Sequence, residues 1–323
     1  MSEEFDARVA QLSDRKQELL RRLASQAAAR GPAGQPSAAG GTPAGPPAAQ
    51  QQPAGASLVL LSEGGSAAPL YCPHAVSGSP YSYHALSRAL RTERSVYGFE
   101  APGLEGGADL ITDVVEFARR YSAELLRQQP ESCHLLGWSM GGYVAFEMAR
   151  QLTEAGRPPA TLIMVDSHDP GPWEMPPEPE VQLAFLNELA AMAGRPAIPW
   201  ESAADVLTEP ELDGMIKLAT TAGLIAPDVP ASFVQNRYRV FRANMRAMYG
   251  YQAKPFPGRL VMLEAAEGAD LLGWAPYAEG GFERVSVPGN HYTMWAESNL
   301  PTLIEAVRTI LARDNPAPGK DYR

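Results

Sequence analysis

Cysteine is almost missing: two residues, Cys72 and Cys133, in a chain of 323. Each sits inside an apolar run that reads as a buried strand, which excludes a disulfide framework and makes a reducing cytoplasm the expected environment. No uninterrupted apolar run of about 18 residues occurs, so a membrane-spanning helix is not expected. The N-terminus mixes acids with arginines where a secretory signal would open on an apolar core. Positive charge is also short, with 27 Lys and Arg against 37 Asp and Glu for a formal charge of −10. Without a basic block, neither nucleic acid nor an anionic membrane is an expected partner.

What is present is a sizeable apolar fraction, 45%, enough to build a core. Phe5, Val9, Leu12, Leu19, Leu20 and Leu23 recur at helical spacing, so residues 1–27 read as a helical docking or leader segment. Residues 28–56 are nearly all Ala, Gly, Pro, Gln and Ser, a composition that buries too little apolar surface to offset its ordering entropy and reads as a disordered linker. From Ser57 onward, short apolar runs alternate with helical patterns: 58–61, 69–72, 95–98, 132–137, 161–165, 259–263 and 282–287 as strands, with helices such as 111–128, 143–155 and 300–312 between them. This alternation predicts a mostly parallel sheet with helices on both faces over residues 57–315, followed by a flexible tail at 316–323. Residues 177–250 interrupt the pattern with helical periodicity alone and read as an inserted lid.

The stretch CHLLGWSMGGYVAFEMARQL, Cys133 to Leu152, passes from strand through a sharp turn into a helix. Gly137 and Gly141 flank Ser139 at the spacing of a nucleophile elbow, where glycine relieves the crowding that a Cβ would cause. A serine hydroxyl is a poor nucleophile at neutral pH unless a histidine takes its proton and a carboxylate orients that histidine. His291, on the Gly-rich loop after the last expected strand, is the candidate base. Asp166, at the end of the strand that follows the elbow helix, is the candidate acid, although Asp169, Glu267 and Asp270 also sit at strand ends. His134 falls within a strand, His84 on a helix and His168 two residues past the acid; His74 ends an earlier strand and is harder to discount. Charge developing on an acyl oxygen needs backbone N–H donors. Met140, after the nucleophile, and Val76, with Ala75 as the alternative, on the early YCPHAVSGSP loop are the candidates. On the lid, Met245, Met248 and Tyr249 are candidate substrate-lining residues, methionine being suited to irregular apolar space. The order Ser, Asp, His agrees with the α/β-hydrolase fold.

Five blocks in order, LYCPHAVSGSPYSYHALSRAL, HLLGWSMGGYVAFEMARQL, LIMVDSHDPG, YRVFRANMRAMYGYQAKPFPGRLVML and VPGNHYTMW, resemble the thioesterase domains of nonribosomal peptide and modular polyketide synthases. The resemblance covers about Ser57 to Ala312. It implies an acyl chain delivered on the phosphopantetheine of an acyl or peptidyl carrier protein, transferred to Ser139, and released by hydrolysis or cyclisation. It further implies Asp166 over Asp270 as the acid, a mobile lid, and no cofactor bound to the domain itself. The first 56 residues are too short for a carrier, so a discrete enzyme working in trans and an excised domain with a leader are both open. An acyltransferase that passes the acyl group between carriers, and a free-standing esterase, are the alternative functions.

Overall fold

A computed structural model describes residues 57–107, 109–171, 173–207, 212–268 and 273–313. The expected leader, linker and tail, and Asp270, lie outside the described residues. Seven strands form one sheet in the order β1-β3-β2-β4-β5-β6-β7: β1 Leu58–Ser62, β2 Ala67–Pro73, β3 Arg94–Phe99, β4 His134–Trp138, β5 Thr161–Val165, β6 Leu260–Ala265 and β7 Phe282–Val287. Every strand pair is parallel except β1 with β3. This is the α/β-hydrolase arrangement that the sequence predicted.

Alternation along the central strands divides the core in two. Leu135, Leu162, Met164, Leu260 and Met262 face one cluster, while Leu136, Ile163, Val165, Val261 and Leu263 face the other. A period of two puts successive side chains on opposite faces, and a strand covered on both sides therefore reads as continuously apolar. Helices α2 (Val114–Arg127) and α3 (Met140–Glu154) close the first face, and α1 (His84–Leu90) and α7 (Leu300–Arg313) close the second. The Asp113 carboxylate caps α2 by accepting from Val115 N–H at 2.7 Å.

Between β5 and β6 stand α4 (Glu178–Met192), α5 (Asp213–Thr221) and α6 (Ala231–Tyr249), within the expected insertion. They have a core of their own, with Phe185 and Leu186 of α4, Met215 of α5, and Tyr238 and Phe241 of α6. The last of these helices also belongs to the body, because its Val240 and Ala247 are buried in the main core. Among the described residues no helix is long and apolar enough to cross a membrane.

Candidate active site

The ladder between β4 and β5 pairs Trp138 with Val165, so the next residue of each strand, Ser139 and Asp166, emerges at the same sheet edge. Both leave it in the left-handed backbone region, at φ of 56° and 44°. Two hydrogen bonds carry the ladder past the strand ends, Ser139 N–H to Val165 O at 3.0 Å and Asp166 N–H to Leu263 O at 2.8 Å. The Ser167 hydroxyl braces the elbow from the side by donating to Ser139 O at 2.8 Å.

The glycines of the elbow are required by contact. A Cβ on Gly137 would lie 2.0 Å from Gly141 O, one on Gly141 2.5 Å from Pro73 O, and one on Gly142 1.9 Å from Ser167 Oγ. The turn closes so tightly that α3 begins directly over the strand that feeds it. Tyr83 ties this edge to the preceding loop: its hydroxyl donates to Pro73 O at 2.7 Å and accepts Trp138 N–H at 2.9 Å.

Asp166 spans the end of β6 to reach the loop after β7. One carboxylate oxygen accepts Ala265 N–H at 2.9 Å, and the other accepts His291 Nδ1–H at 2.7 Å. Burial raises the Asp166 carboxyl, but the His291 hydrogen bond and the Ala265 N–H outweigh it and hold the group below the usual carboxylate range. The His291 ring is confined by aromatic neighbours. Trp138 lies 5.1 Å away at 32°, His168 stacks at 5.6 Å and 18°, and Tyr292 meets it edge-on at 5.0 Å. Ser139 is 8% exposed and makes no hydrogen bond to His291, an approach that commonly tightens only when substrate is bound.

The other sequence-derived candidates separate. His74 is fully buried between Phe117 and Tyr121, with its Nδ1–H on Ala75 O at 2.8 Å, and burial depresses its pKa to about 4. It holds the loop after β2 as a neutral ring. His134 is buried in β4 beside Thr161 Oγ1 at 3.0 Å, and His84 opens α1. Asp169 accepts Gly273 N–H at 2.7 Å, and Glu267 is exposed. In the loop after β2, Ala75 is fully buried and Val76 half-buried. Met140 opens α3, where the first amides of a helix have no partner within it. Met245 is 6% exposed within the insertion's own core, whereas Met248 and Tyr249 are half-buried, Met248 against the main core.

Four neighbours of the site escaped sequence reasoning. His168 stacks on the His291 ring, although its position two residues past Asp166 argued against it. Glu188 of α4 is buried and accepts the Tyr292 hydroxyl at 2.7 Å. Trp138 occupies the unspecified place between Gly137 and Ser139. Asn244 of α6 reaches the loop after β2. The buried acid and amide left a local signal, a polar residue at an apolar-face position of a helix.

Comparison with known proteins adds four findings. The family model described as Thioesterase domain matches residues 68–311. The dimodular nonribosomal peptide synthase of Bacillus subtilis (strain 168) is 26% identical over 243 residues, 72% of this chain and 10% of the synthase. The non-reducing polyketide synthase terA of Aspergillus terreus (strain NIH 2624 / FGSC A1156) is 28% identical over 244 residues, 71% of this chain and 11% of that protein. This chain thus spans about a tenth of the length of these two relatives. Among solved structures, a four-domain nonribosomal peptide synthetase, holo-AB3403 bound to AMP and glycine, is similar with a TM-score of 0.71 and 25% identity, over 79% of this chain and 20% of that one.

Proposed function

The chain belongs to the thioesterase-domain family, and on that premise we propose that it releases a peptide or polyketide acyl chain from a carrier protein's phosphopantetheine thioester through an acyl-Ser139 intermediate. The observation that carries this reading is the 2.7 Å hydrogen bond from His291 to Asp166, beside a serine held at positive φ on the neighbouring strand end. Similarity to segments of a peptide synthase and a polyketide synthase supports the substrate class.

In this reading Asp166 keeps the His291 proton on Nδ1, which leaves Nε2 free to accept. Ser139 Oγ attacks the thioester carbonyl as its proton passes to Nε2. The oxyanion is held by the N–H groups of Met140 and of Val76, with Ala75 as the alternative to Val76. Collapse expels the phosphopantetheine thiolate, which takes the proton from His291, and leaves an ester on Ser139. Water, or a nucleophile within the acyl chain, then gives its proton to His291 Nε2 as it attacks the ester carbonyl. Collapse breaks the bond to Ser139 Oγ, which takes that proton back from His291 as the acid or the ring is released. The domain needs no cofactor of its own for these steps. Residues 57–315 form the catalytic unit with 177–250 as its lid, while residues 1–27, joined through 28–56, dock onto the carrier or synthase. Two free, buried cysteines fit a reducing cytoplasm.

The test is turnover of an acyl N-acetylcysteamine thioester and of an acyl-loaded carrier, with mass spectrometry of the intact protein. Wild-type protein accumulates an acyl adduct on Ser139 and Ser139→Ala does not. Asp166→Asn loses about four orders of magnitude in kcat. Undiminished turnover by Ser139→Ala overturns the assignment, and transfer of the adduct to a second carrier thiol in preference to water replaces hydrolysis with acyl transfer.

A further inference from the structure

Asn244 is 1% exposed in a stretch of α6 whose neighbours Val240, Phe241, Met245 and Ala247 are apolar and buried. An amide in such surroundings is costly unless its hydrogen bonds are met. Its Nδ2 donates to Val76 O at 2.9 Å, across 168 residues of sequence. That carbonyl belongs to the loop after β2, which carries a candidate oxyanion donor.

The loop is clamped at both peptide planes around Val76. Ala75 O accepts Gly78 N–H at 2.9 Å and the His74 Nδ1–H at 2.8 Å. The carbonyl and N–H of one planar peptide point in opposite directions, so holding Ala75 O turns the Val76 N–H away from those two donors. Asn244 holds the following peptide by its carbonyl. A second contact from the same helix limits the loop: at Gly78, with φ of 81°, a Cβ would lie 2.7 Å from Val240 Cγ1 and 3.4 Å from Asn244 Nδ2. The loop and α6 thus meet without room for a side chain between them.

We propose that Asn244 is a positioning residue for the oxyanion loop, so that the last helix of the insertion takes part in setting the rate of acyl transfer as well as covering the site. The proposal deepens the thioesterase reading and rests on it. An oxyanion donor must be aimed at the position of the charged oxygen, and a small rotation of the Val76 peptide weakens the transition state while leaving the ground state unaffected.

The experiment compares Asn244→Leu and Asn244→Asp with wild-type protein. Asn244→Asp keeps the shape and, when ionised, loses the donor. Three quantities are read: kcat and KM on an acyl N-acetylcysteamine thioester, with kcat normalised to fluorophosphonate-titrated sites; inhibition by the matching acyl trifluoromethyl ketone, whose serine adduct carries an oxyanion; and binding of the intact thioester to each variant in a Ser139→Ala background. The expected result is a loss of about 10- to 100-fold in kcat, short of the ~100- to 1,000-fold for outright removal of a donor. Ketone affinity falls by the same factor, and KM and thioester binding stay near wild type. Wild-type kcat and ketone affinity in both variants overturn the proposal. So does an equal loss of ketone and thioester binding, or failure of both variants to fold, since either assigns Asn244 to packing alone. Wild-type protein inert to both thioester and ketone defeats instead the thioesterase reading beneath the proposal.

Discussion

Ser139 and Asp166 both have a positive φ, which side chains rarely adopt, and each such position costs about 1–3 kcal/mol unless its surroundings impose it. At Ser139 the surroundings are the elbow glycines, and these tolerate no Cβ for different reasons. The Cβ of an alanine at Gly137 would meet the carbonyl of Gly141 at 2.0 Å, a backbone atom that cannot yield. At Gly142 the obstacles are side chains, Ser167 Oγ at 1.9 Å, Ser167 Cβ at 2.8 Å and Met164 Cε at 3.0 Å. The hydroxyl can rotate away at the expense of its hydrogen bond to Ser139 O, and the other two contacts need only a small shift. Gly137→Ala is therefore expected to lower Tm well beyond Gly142→Ala, whose loss falls within the roughly 1–3 kcal/mol usual for overpacking. Thermal melts of the two variants check the order, and equal losses count against this account of the elbow.

At the scale of the element, α4 carries a buried carboxylate onto the loop of the candidate base. Burial pushes the Glu188 carboxyl above the usual carboxylate range, and the Tyr292 hydroxyl and nearby His291 offset only part of that rise. A raised carboxyl binds its proton more tightly in the folded chain than in the unfolded one. Its contribution to stability is then greatest below the unfolded value of about 4.3 and declines as pH rises through the folded value. Glu188→Gln removes the ionisation and keeps an acceptor for Tyr292. The variant is expected to gain Tm over wild type at pH 8 and to lose most of that gain at pH 5. A difference in Tm that is the same at both pH values removes the burial argument. The insertion also behaves as two kinds of element. α4 and α5 pack in its separate core, whereas α6 joins that core to the body through Val240 and Ala247.

For the whole molecule, the described fold is secured at its first residues. Glu124 of α2 accepts the N–H groups of Ser57 and Leu58 at 3.0 and 2.9 Å, and β1 pairs along β3 from Leu58. Removal of residues 1–50 is expected to leave Tm and turnover of a small N-acetylcysteamine thioester unchanged. The same deletion raises KM for an acyl-loaded carrier if the leader docks, because a tether raises the local concentration of the donor. Identical carrier kinetics in truncated and full-length protein remove the docking role.

The sequence by itself determined the seven strands, the helices between them, the place of the insertion and the strand-turn-helix context of Ser139. These follow from periods of two and 3.6 and from glycine spacing, which are set by residues near one another in the chain. The order of the strands in the sheet, with β1 antiparallel at its edge, had no such local signal. The candidate roles of Asp166 and His291 were legible from strand ends and chain order, with Asp169, Glu267 and Asp270 as rival acids. The hydrogen bond that joins them across 125 residues was not, nor were the stacking of His168 on His291, the reach of Glu188 to Tyr292, or the hold of Asn244 on Val76. Periodicity names the face that a residue occupies but not the partner opposite it. Partners were decided only in the tertiary structure, when packing of both sheet faces and of the insertion brought distant polar groups together and burial required each to be hydrogen-bonded.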